Sequence, residues 1–168
     1  MSDTEDIFAR FPQRIGVSSQ PGAKTYTVMP EFYAVHGRQP GSPAPSAVHL
    51  FNEGAIGVFK GSPDQDIRRS ASDKISPVYS LVPGGSPAVP TGLVFIRFAD
   101  GVAVEQRTEE IKHAGYEVAE SLAYAPNAAW LRARSGSIPD ALAGRDTLEK
   151  IADVESVEPQ MLMEATRR

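Results

Sequence analysis

The sequence predicts an α+β fold: a mostly β first part, rich in glycine and proline, followed by a compact β-α-β-β-α-β array. Three observations predict it. Residues 1–92 hold 11 of the 14 prolines and 10 of the 14 glycines, whereas residues 93–168 hold 3 and 4. Charge divides as well, with 8 basic and 8 acidic residues in the first part against 9 and 13 in the second. From residue 93 onward, apolar residues recur alternately at strand spacing and at helix spacing.

In the first part, Asp3–Arg10 gives at most a short helical stretch. Tyr26–Met29 and Glu31–Val35 read as short strands. Ala47–Phe51 and Ala55–Phe59 flank Asn52-Glu53-Gly54 and predict a β-hairpin, with Gly54 free to take positive φ. Gln39–Ser46, with three prolines among eight residues, reads as a mobile loop. The run Pro83-Gly84-Gly85-Ser86-Pro87 continues neither a helix nor a central strand, so residues 1–85 form one region and 86–92 a linker.

In the second part, Leu93–Phe98 is β-branched and aromatic, a strand stopped by Asp100-Gly101. Val104, Thr108 and Ile111 fall at helical spacing, and Gly115 is the stop. Tyr116–Leu122 alternates as a second strand. Ala129, Leu131 and Ala133 alternate with Trp130, Arg132 and Arg134 in a third. Ser137 N-caps a second helix, whose face is Ala141, Gly144, Leu148 and Ile151. Val154–Glu158 is a fourth strand, ended by Pro159. This order over residues 93–160 is the ferredoxin-like βαββαβ pattern, with one sheet face under the helices and one open. Trp130, Arg132 and Arg134 belong to that open face.

Composition excludes several functions. A net charge of -4 argues against a nucleic-acid partner, whose affinity comes from neutralising phosphates. No run approaches the ~18–20 apolar residues that span a membrane. There is no cysteine, hence no disulfide, thiolate zinc site or cysteine nucleophile. Three histidines (His36, His49 and His113) are too few for a histidine-rich metal site. No Gly-x-Ser-x-Gly elbow, phosphate loop or dinucleotide fingerprint is present. Glu109-Glu110 reads as a solvated helix face, and His113 as a favourable charge near a helix C-terminus. No catalytic residue, metal or cofactor is expected. The acidic start, Met1–Asp6, is unlike a secretory signal, which places the chain in the cytoplasm or leaves it exported with, or as part of, another protein.

The second part resembles a known family. Leu93–Val102, a hydrophobic strand followed by a basic residue, an aromatic and an Asp-Gly turn, is similar to the opening of the propeptides of subtilisin-like serine proteases. Ala114-Gly115-Tyr116-Glu117-Val118 resembles the family's Ala-Gly and following strand. Ile151–Gln160 resembles its closing motif. Asp153 stands where the family more often has glycine, and Gln160 where it often has asparagine. The resemblance covers Leu93 to Arg168.

The resemblance implies a noncatalytic inhibitor of a subtilisin-like serine protease, with a folding-assistant role beside inhibition. The open sheet face would dock on the protease. The tail, Met161, Leu162, Met163, Glu164, Ala165, Thr166, Arg167 and Arg168, would lie product-like in the substrate cleft, pairing by main-chain hydrogen bonds as an added strand does. Trp130 suits either an anchor in a partner interface, where Trp and Arg are enriched, or packing against the glycine- and proline-rich first part, and Arg132 and Arg134 favour the partner. Two other readings stand beside this one: a ferredoxin-like regulatory or ligand-binding module, and a propeptide fragment of a longer secreted protease precursor.

Overall fold

The structure is a computed structural model that describes residues 8–18, 20–67 and 74–163. The described residues are mostly antiparallel sheet, 42% strand against 19% helix. This corrects the expected α+β, ferredoxin-like class, because the sheet dominates and no α-helix among the described residues exceeds six residues. No helix among the described residues is long and apolar enough to cross a membrane.

Contacts divide the chain into two compact units. One comprises Met1–Arg14, Tyr26–Val89 and Leu162–Arg168; the other comprises Ile15–Thr25 and Pro90–Met161. Strand β1 (Arg14–Gly16) and strand β2 (Thr25–Val35) run across their limits.

In the first unit, β2 pairs antiparallel with β4 (Ile56–Lys60) and with β5 (Ile75–Ser80), and β4 pairs with β3 (Ala47–Phe51). The β3–β4 hairpin forms where the sequence places it. Its turn has three left-handed residues in succession: Asn52 at φ 51°, Glu53 at 59° and Gly54 at 94°. Asn tolerates that region better than most residues, and Gly54 takes it without strain. Met29, Ala34, Ile56, Val58, Val78 and Val89 form the core, with Leu162 packed against it. Tyr33 stacks on its register partner Phe59 at 5.5 Å.

Strand β5 is not among the strands expected from the sequence, and Pro77 sits in its middle. All six of its residues are buried. Proline is tolerated here because the β2–β5 register shifts beside it, between Val28 and Tyr33, so its missing N–H falls at an interruption of the ladder. The Gln39–Ser46 loop also differs from expectation: it is tied down. The Arg38 guanidinium donates to the Gly54 carbonyl at 2.7 Å and the Pro43 carbonyl at 3.0 Å, and the Gly41 N–H to the Glu53 carbonyl at 2.9 Å.

Strand β6 (Ala88–Phe98) opens in the first unit, where Ala88 pairs with Tyr79 of β5, and continues in the second. Residues 88–92, expected as linker, are therefore strand.

In the second unit, β6 pairs with β8 (Ala128–Ala133), β8 with β7 (Tyr116–Ser121), and β9 (Val154–Met163) with β6. Val94, Ile96, Phe98, Ala129, Leu131 and Ala133 point into one core with Ile111, Tyr116, Leu148 and Val157. The inward set Ala129, Leu131 and Ala133 is the one the alternation predicts. The first helix is shorter than expected: Val104–Arg107 is a 3-10 turn and α1 spans Thr108–His113, so Thr108 is exposed while Val104 and Ile111 are buried. The second is split at Gly144 into α2 (Ile138–Ala143) and α3 (Arg145–Glu149). Ser137 caps α2 as expected, its hydroxyl accepting from the Asp140 N–H at 3.3 Å. Gly144 lies against Tyr116, whose phenol O–H donates to the Ala141 carbonyl. A Cβ on Gly144 would stand 2.8 Å from that phenol oxygen. Burial pushes the Tyr116 hydroxyl up to about 12.

Strand β9 does not end at Pro159, as expected, but runs on to Met163. It pairs with β6 and lies off the main order of strands, where one residue without an N–H is tolerated. Gln160 is fastened by its side chain to the Thr91 hydroxyl at 2.8 Å. Asp153, just before β9, adopts φ 70°, and Arg107 bridges its carboxylate at 2.7 Å. A non-glycine residue thus fills a left-handed turn position, as aspartate does more readily than most.

Candidate docking face

The open face of the second unit follows from strand alternation. Since Val94, Ile96 and Phe98 enter the core, Leu93, Phe95 and Arg97 of β6 take the opposite side. On β8, Trp130 and Arg132 do the same. Phe95 and Trp130 are directly paired in the ladder, and their rings meet at 5.2 Å with planes 64° apart. Both are half-buried and neither belongs to the buried core. Charged pairs flank them. Arg132 bonds its ladder partner Glu117 of β7 at 2.5 Å, and Arg97 lies 3.7 Å from Glu155 of β9. Glu120 is the ladder partner of Trp130 on its other side. The result is an aromatic centre within a charged rim, the arrangement common to protein interfaces.

Of the three residues the sequence assigns to this face, Trp130 and Arg132 lie together on β8. Arg134 lies one residue past the end of β8 and lines a shallow depression with Gly115, Tyr116, Ser135 and Asp140. Phe95, Glu117 and Glu120 were not singled out by the sequence. Alternation along Leu93–Phe98 carries the signal for Phe95. The register that sets it opposite Trp130 is not a local property.

Of the expected tail, Met161, Leu162 and Met163 are the last residues of β9. Leu162 packs on the core of the first unit, and the Tyr26 hydroxyl donates to the Met163 sulfur at 3.7 Å. Met161, Leu162 and Met163 are therefore part of the sheet and not of an extended tail. Glu164, Ala165, Thr166, Arg167 and Arg168 lie outside the described residues.

No family model, no curated protein and no solved structure matches the chain. What the chain does is therefore read from its own residues.

One imidazole–hydroxyl pair bears on catalysis. His36 Nε2 lies 2.8 Å from Ser76 Oγ, and that hydroxyl also donates to the Pro77 carbonyl at 3.0 Å. Ser76 has no exposed surface, so no substrate carbonyl reaches its oxygen. Burial pushes the His36 imidazole down to about 4, which keeps it neutral near pH 7. The pair reads as a structural cross-strand link. Among the described residues, no group of three or more His, Asp or Glu side chains could hold a metal ion.

Proposed function

We propose that this chain is a noncatalytic protein inhibitor of a subtilisin-like serine protease, with a folding-assistant role towards the same enzyme. The open face of β6, β8 and β7 docks on the protease, and the residues after Met163 lie product-like along its substrate cleft. The observation that carries this reading is the Phe95–Trp130 pair, two half-buried rings at the centre of a face with a charged rim. Tryptophan and arginine dominate the energetics of such interfaces because they bury large rigid surfaces and several donors at once. The resemblance of Leu93–Arg168 to subtilisin-like propeptides supplies the class of partner. The strand β9 supplies a route for the tail, since an extended chain leaving a strand can add itself to the edge of a cleft.

The test is inhibition of peptide hydrolysis by purified subtilisin-like proteases, with a chymotrypsin-like protease as control. Saturable inhibition of the first class alone, weakened in Trp130→Ala, is expected. Equal inhibition of both classes, or none of either, overturns the reading.

A further inference from the structure

We propose that the hollow beside the bulge of β2 is a binding site for a small, uncharged, aromatic molecule of two or three rings. Between Val28 and Tyr33, β2 advances five residues while β5 advances only two, from Tyr79 to Pro77. Pro30 and Pro77 lie at this interruption, and neither has an N–H to close the ladder. The cavity that results measures about 450 Å³ and is walled by Phe8, Phe11, Met29 and Phe32 with both prolines. That volume falls within the ~300–1,000 Å³ of small-molecule sites.

The hollow is preformed. The Val28 N–H donates to the Gln13 carbonyl at 3.1 Å and the Tyr79 hydroxyl to the Pro12 carbonyl at 2.7 Å, so the chain before β1 is pinned to β2 and β5. Phe8 and Phe11 meet edge to face at 6.1 Å. Phe11 and Met29 are 9% and 7% exposed, so these walls are held by packing.

The chemistry of the ligand follows from the lining. Among the described residues that line the cavity none is charged, and Gln13 contributes the one polar side chain. A carboxylate or an ammonium entering here would lose hydration and meet no counter-charge. The carbonyls of Pro12 and Gln13 each already accept one hydrogen bond, so shape and apolar contact carry most of the recognition, with the Gln13 side chain left to orient a polar atom. Aromatic rings suit walls of phenylalanine, since ring edges meet ring faces favourably. An apolar cavity of ~150 Å³ holds one benzene, so this one has room for two or three rings.

The test uses N-phenyl-1-naphthylamine and its sulfonated analogue 8-anilinonaphthalene-1-sulfonate, which share a ring frame and differ in charge. Fluorescence titration of the full chain is expected to give saturable, one-to-one binding of the neutral probe. The sulfonate should bind at least tenfold more weakly. Ala9→Trp, at an exposed rim position, should fill the hollow and weaken the neutral probe at least tenfold, while melting as the parent does. Phe32→Ala, which removes a half-buried wall, should weaken it in the same direction. Trp130→Ala should leave it unchanged. No saturable binding to the folded chain, equal binding of both probes, indifference to the cavity variants, or loss of binding in Trp130→Ala would each overturn the proposal.

Discussion

Phe95 and Trp130 face each other across β6 and β8 with ring centroids 5.2 Å apart, on the side of the sheet turned away from the second unit's core. Packing on that core does not depend on them, which separates binding from stability. Trp130→Ala should therefore raise the inhibition constant by roughly thirtyfold or more, the effect of losing an interface hot spot. The melting temperature should move little. Arg132→Ala, which breaks only an exposed pair with Glu117, should change stability by less than about 1 kcal/mol. Inhibition kinetics and thermal melts on the same preparations check both.

Tail deletions should divide at Met163. Removing Glu164–Arg168 takes away residues beyond β9, so the fold should melt as before while inhibition weakens at least tenfold. Removing Met161–Arg168 also strips Leu162 from its core and Met163 from Tyr26. That longer deletion should cost a further ~2–4 kcal/mol, by the measure of buried aliphatic side chains. Unchanged inhibition after the short deletion would remove the cleft from the mechanism.

Acid should loosen the β2–β5 contact through His36. The folded imidazole titrates at about 4 against an ordinary 6.5, so between those values the unfolded chain binds the extra proton. The contribution is whole above pH 6.5 and drains away as pH falls towards 4. Its full size is about 2–3 kcal/mol, discounted for partial exposure of the ring. Urea midpoints at pH 7.5 and pH 4.5 should diverge in the parent and converge in His36→Gln. An equal pH response in both proteins would place the titrating group elsewhere.

Arg38 should govern the lifetime of the Gln39–Ser46 loop. Its part-buried bond to the Gly54 carbonyl and its exposed bond to the Pro43 carbonyl tie the loop to the hairpin turn, and a charged donor contributes ~1.5–3 kcal/mol only where it is shielded from water. Arg38→Ala should expose the loop to cleavage at low protease concentration before any strand is cut. Mass spectrometry of the first fragments reads the site. First cuts within residues 93–158 instead would contradict the order of stability.

Gly144→Ala should destabilise the second unit by about 1–3 kcal/mol, because the added Cβ would stand 2.8 Å from the Tyr116 oxygen and 2.9 Å from its ring. Calorimetry on the single variant is sufficient. A neutral result would mean that α2 and α3 shift apart easily.

The sequence by itself determined what is local. Alternation located β7, and β8 with its inward residues Ala129, Leu131 and Ala133, while Asn52-Glu53-Gly54 fixed a hairpin, because side-chain period and left-handed φ are decided within a few residues. Tertiary structure decided what depends on partners distant in the chain. Pro77 reads as a breaker until β2 shifts register beside it, and Pro159 until β9 is seen to lie off the main strand order. Phe95 becomes the neighbour of Trp130 only through pairing across 35 residues of chain. The helices read as longer than they are, since Gly144 falls on the expected helical face yet is the break between α2 and α3, where Tyr116 leaves no room for a Cβ. A proline's missing donor matters only where a partner strand would accept from it, and no local pattern records where those acceptors lie.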